Sequence, residues 1–98
     1  MQIPDKVKVG HRDYLVEMVP QLDDGSRELY GECRYDDEVI RLCTRYPTNQ
    51  QKCTLIHELI HAVDEMYHVG LSEKQVIRLG KGIYQVIKDN PSMFREEP

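Results

Sequence analysis

Apolar and polar residues alternate along the first half of the chain. In Lys6-Val7-Lys8-Val9 the two valines fall on one face, and in the stretch YLVEMV the residues Tyr14, Val16 and Met18 share a side. A period of two is the mark of strands with one buried face. Gly10-His11 between these runs predicts a tight hairpin turn. Residues 21–26, containing Asp23-Asp24-Gly25, read as a loop. ELYGECRY and EVIRLC are two further strand candidates, turned at Asp36-Asp37. Residues 1–46 are thus expected to form an antiparallel meander of three or four strands.

The period changes after Pro47. Thr48 followed by Gln51 predicts a capping box that opens a helix. That helix is expected to run to Tyr67 or His68 and to end near Gly70. Ser72 and Gln75 repeat the capping signal for a second helix, which Asn90-Pro91 ends. The tail SMFREEP is expected to fray. Strands precede helices, so the class is α+β: a small antiparallel or mixed sheet, the helix carrying His57-Glu58-Leu59-Ile60-His61, and a C-terminal helix. Residues 1–98 form one domain, with strands over 1–46, two helices over 47–90 and a tail over 91–98.

Composition narrows the function. The 98 residues support one small core, and with one Phe and no Trp the core falls to Val, Ile, Leu and Met. A core this small gains from a bound ion. The net charge of −4 argues against nucleic acid as the main partner, because phosphate binding wants a basic surface. Three cysteines without a CxxC suggest neither a disulfide framework nor a cysteine zinc knuckle, and fit reduced thiols in the cytosol. The N-terminal MQIPDKVKVG holds no apolar signal core, and no apolar run reaches membrane-spanning length. The protein is therefore expected to stay in the cytoplasm.

On a helical wheel, Leu55, Ile56, Leu59, Ile60, Ala62, Val63, Met66 and Tyr67 fill one broad arc, which should face the sheet. His57, His61, Asp64 and His68 cluster opposite, with Glu58 just off that cluster. Histidines at i and i+4 can share one metal ion. Glu58 is angled away from the metal and can reach a water bound to it, whose pKa zinc lowers to near 7. That division of labour is the reason for the H-E-x-x-H order.

A catalytic zinc takes three protein ligands and a water. Asp64 lies on the right face but is too short to reach back along the axis; it could instead orient His61, with a solvated surface aspartate an equal alternative. His68 is further away still. Cys53 lies one turn before His57, where a buried apolar role is commoner. The spacing misses the metzincin pattern, whose third histidine is replaced here by Tyr67. Glu73, on the apolar arc of the second helix, is the preferred third ligand, since a carboxylate aimed at a core needs a partner. Its alternative is an exposed first-turn residue favoured by the helix dipole. Asp89 is a distant backup.

These residues carry a resemblance. The stretch CTLIHELIHAVDEMYHVGLSEKQVIRLGKGIYQVIKDNP resembles the small phage and prophage zinc metallopeptidases of the ImmA/IrrE-like kind, as do the upstream VKVGHRDYLVEMV and YGECRYDDEVIRL. The resemblance implies a minimal zincin fold. His57, His61 and Glu73 would be ligands of Zn²⁺ and Glu58 the general base. In larger gluzincin-like relatives the glutamate comes further downstream than Glu73 lies from His61. Larger relatives often act with a DNA-binding regulator, which for this chain would be a separate protein.

The expected function is therefore zinc-dependent hydrolysis of a protein or peptide, with EVIRLC as a candidate edge strand for the substrate. Tyr46, Tyr67 and His68 are possible partners for the oxyanion. The alternative is a non-catalytic zinc-binding module that grips a phage or host protein.

Overall fold

A computed structural model describes residues 1–96. Four strands form one sheet: β1 (Lys6–Val9), β2 (Arg12–Val19), β3 (Gly31–Arg34) and β4 (Val39–Cys43). Two helices follow, α1 (Thr48–Tyr67) and α2 (Glu73–Asp89), and then a 3₁₀ turn at Pro91–Phe94. The 3₁₀ turn takes up the start of the stretch expected to fray, and Glu97 and Pro98 lie outside the described residues.

The hairpins form where the turn chemistry directs. Gly10 takes φ 60° as the first residue of the two-residue β1–β2 turn, the position at which a II′ turn calls for glycine. Tyr35 to Glu38 close the β3–β4 hairpin, with the Glu38 amide donating to the Tyr35 carbonyl at 3.3 Å.

The sheet is mixed, and the expected antiparallel meander is corrected. Its order is β1-β2-β4-β3, and β2 runs parallel to β4, from Leu15 opposite Val39 to Val19 opposite Cys43. EVIRLC is accordingly an interior strand, paired on both sides. Its burial accounts for this: Val39, Ile40, Leu42 and Cys43 are all buried, so both faces of β4 are apolar. The edges are β1 and β3.

One face of the sheet packs on α1. Val9, Tyr14, Ile40 and Leu42 meet Leu55 and Ala62 there, with Leu59 and Met66 packed around them. On the other face Arg41 sits between two carboxylates, donating to Glu17 at 3.1 Å and to Glu32 at 2.9 Å. β3 presses hard against α1. A Cβ on Gly31 would fall 2.5 Å from Thr54 Cγ2, so only glycine fits there. The contact sets the start of β3 beside the helical turn that leads into His57.

α1 does not face the sheet with the full apolar arc read from its wheel. Thr54, Leu55, Ile56, Glu58 and Ala62 are buried, whereas Val63 and Tyr67 are exposed. α2 packs on α1 and the 3₁₀ turn and touches no strand among the described residues. Of its apolar face only Val76 and Gly80 are buried.

Candidate metal centre

His57 and Glu58 on α1 face a cleft of about 450 Å³. Residues 27–31 form one wall, and the first half of α1 and the cleft-facing side of α2 form the others. His57, Glu58 and Glu73 line its inner end.

Two features bring α2 into position. Ser72 accepts a hydrogen bond from the Gln75 amide at 3.1 Å, while Gln75 Oε1 accepts from the Ser72 amide at 2.9 Å. This capping box fixes where α2 begins, and so where Glu73 stands. At Gly80 the two helices are in close contact: a Cβ placed there would lie at ordinary van der Waals distance, 3.5 Å, from His57 Cα. The capping box expected at Thr48 and Gln51 does not form. α1 has no side-chain cap, and the Gln51 side chain donates instead to the Tyr46 carbonyl at 2.7 Å.

The histidines converge on one carboxylate. His57 Nε2 lies 3.0 Å from Glu73 Oε1, and His61 Nε2 lies 3.0 Å from Glu73 Oε2. The imidazole rings meet edge to face, with centroids 4.9 Å apart. One ligand-capable atom each from His57, Glu58 and His61 falls within 4.8 Å of the others, close enough to hold a metal ion. Glu73 is not aimed at the core as its wheel position suggested. Its side chain is 61% exposed and reaches the histidines from the solvent side. The first turn of α2 overhangs α1 there, with no strand above it.

Burial separates the two glutamates. Glu58 is only 6% exposed. Its carboxyl is pushed up to about 8, first by burial and then by the charges of Glu73 and Glu32. Burial also lowers the pKa of His57, against the opposing pull of Glu73. That favours the neutral imidazole, the form that binds metals.

Asp64 and His68 are not brought to this cluster. Asp64 Oδ1 accepts the amides of Gly70 at 2.7 Å and Leu71 at 3.1 Å, so it ties down the α1–α2 turn rather than orienting His61. His68 ends α1 in the left-handed conformation, at φ 54°. Asp64→Ala is expected to lower stability by about 1 kcal/mol and the melting temperature by about 5 °C, because two loop amides lose their acceptor. The approach of Glu73 to His57 and His61 should loosen with it, since the turn positions Glu73. An unchanged melting curve in a thermal scan would remove Asp64 from this role.

None of Tyr46, Tyr67 and His68 lines the cleft. Tyr46 packs at a tilt against Tyr30 with centroids 4.3 Å apart, and its hydroxyl reaches Glu28 at 3.3 Å. Sequence reasoning missed the wall at residues 27–31. Its signal was Gly31, a glycine inside a strand-like run, which often marks close backbone approach.

The chain matches no protein-family model, no curated protein and no solved structure. Among the described residues, no helix is long and apolar enough to cross a membrane.

Proposed function

We propose that this protein is a zinc-dependent metallo-endopeptidase of the ImmA/IrrE-like kind, acting in the cytoplasm of a bacterial host and encoded by a phage or prophage. The observation that carries the reading is the approach of both Glu73 oxygens to the Nε2 atoms of His57 and His61, each at 3.0 Å, with Glu58 buried alongside.

The donor set suits zinc. Two imidazoles and one carboxylate are the ligands of a catalytic zinc with an open fourth position. His57, His61 and Glu73 would hold the ion, and the exposed Glu73 side chain is free to shift from its present 3.0 Å contacts to admit it. A zinc ion bound there supplies Lewis acidity, polarising a peptide carbonyl and making water acidic enough to lose a proton near neutral pH.

Glu58 is the base in this reading. It sits next to His57 in sequence but on the sheet side of α1, so its carboxylate reaches the inner end of the cleft. A dication held by the neighbouring ligands favours its ionised form and counters the effect of burial. It takes a proton from the attacking water and returns it to the departing amine. β3 is the edge strand beside the cleft and offers the rail for an extended peptide that β4 cannot provide.

Metal content tests the reading. Wild type is expected to hold one zinc per chain, His57→Ala to hold none, and Glu73→Ala to bind zinc more weakly than wild type. A wild-type chain that takes up no zinc after careful add-back would sink the proposal.

A further inference from the structure

The cleft is chemically graded along its length. Glu73, Ile77 and Lys81 follow one another along the cleft-facing side of α2 at intervals of four residues, and all three line the cleft. Next to the metal-binding end the walls are apolar, with Ile77 on α2 and Leu29 and Tyr30 on the 27–31 segment. Beyond them the lining turns cationic, with Lys81 and Arg27.

The other charges at that end already have partners. Glu28 is taken up by Arg45 and by the Tyr46 hydroxyl. Arg27 lies 3.7 Å from Asp24. Lys81 makes no ion pair among the described residues, although the chain as a whole carries a net charge of −4. A free cation at the end of an apolar trough is a receptor for a carboxylate.

The geometry points to a peptide substrate that carries an acidic side chain two or three residues from the bond that is cut, held by Lys81. This deepens the peptidase reading above and rests on it. The reach is consistent. Eight residues of helix place Lys81 about 12 Å from Glu73 along α2. An extended peptide advances about 3.3 Å per residue, and the lysine and the acidic side chain span the rest. The apolar stretch between accommodates a hydrophobic side chain nearer the scissile bond. An ion pair at this partly open position is screened by salt, so it acts as a preference and not as an absolute requirement.

The test uses the full chain loaded with zinc. The probes are short peptides bearing a hydroxamate, which grips zinc, at either the C-terminus or the N-terminus, so that both directions along the cleft are sampled. Each series carries Asp, Asn or Lys at the third residue from the hydroxamate, and binding is measured by calorimetry at low salt. In one series the Asp peptide is expected to bind about two- to fivefold more tightly than its Asn counterpart. That advantage should vanish in Lys81→Gln and pass to the Lys peptide in Lys81→Glu. Lys81 is exposed, so neither substitution disturbs the core. Zinc-dependent binding with equal affinity for Asp and Asn in both series overturns the proposal and leaves the peptidase reading intact. So does an Asp preference that survives Lys81→Gln. If no hydroxamate binds the zinc-loaded chain in either series, the peptidase reading falls and this proposal falls with it.

Discussion

On the proposed zinc-peptidase reading, Glu58→Gln is expected to keep the bound metal while peptide hydrolysis drops by about 10²–10⁴-fold. The amide matches the carboxylate in shape but can neither take the proton from water nor hand one to the leaving amine. Metal binding should survive because the contacts that converge at 3.0 Å are made by His57, His61 and Glu73. Stability supplies a second readout. The Glu58 carboxyl is buried and held up to about 8, so its ionised form is poorly solvated in the metal-free protein. The neutral amide removes that burden, and metal-free Glu58→Gln is expected to melt no lower than wild type at neutral pH. Lost activity with retained zinc and an undiminished melting temperature is the signature of a missing base. If zinc is lost as well, Glu58 is itself a ligand, and a different group must serve as base.

On the proposed zinc reading, the ion is expected to stabilise the chain by about 2.7 kcal/mol at a free concentration one hundred times its dissociation constant. α2 rests on α1 and the 3₁₀ turn and buries only Val76 and Gly80. Undocking it exposes little apolar surface, so the metal-free helix should open far more often than the sheet unfolds. On that reading the ion would join Glu73 at the start of α2 to two histidines on α1 and oppose that opening. Amide hydrogen exchange should therefore slow by roughly 100-fold within α2 on adding zinc, and by a similar factor at those β2 and β4 amides that exchange by global unfolding, with α2 remaining the less protected of the two. The effect should be absent in His57→Ala. Equal protection of α2 and the sheet would mean that the helical hairpin and the sheet open as one unit.

What the sequence disclosed depended on how local each signal was. The Gly10-His11 turn, the Ser72–Gln75 cap and the end of α2 before Asn90-Pro91 are set by neighbouring residues, and the structure has all three. Strand pairing is set at a distance. Alternation in β2 looks the same whether its partner runs parallel or antiparallel, so the β2–β4 pairing was hidden. The interior position of β4 was more legible than the edge reading allowed, because VIRLC has apolar residues on both faces. At the site, i and i+4 spacing put His57 and His61 together. The approach of Glu73 depends on how α2 folds back, which the wheel alone does not give. The wheel placed Asp64 on the histidine face, yet the amides of Gly70 and Leu71 lie nearer to hand and claim its carboxylate.

The position of β3 at the edge of the sheet has a colloidal consequence. An edge with unpaired backbone groups that can receive a peptide can also receive the edge of another molecule. Two features restrain such growth. β3 is four residues long, and Glu32 and Arg34 place opposite charges on it. A stack of identical edges would have to accommodate those charges at each step over a contact too short to repay the cost. The strand can thus remain open for recognition at concentrations where a longer, apolar edge would seed fibres.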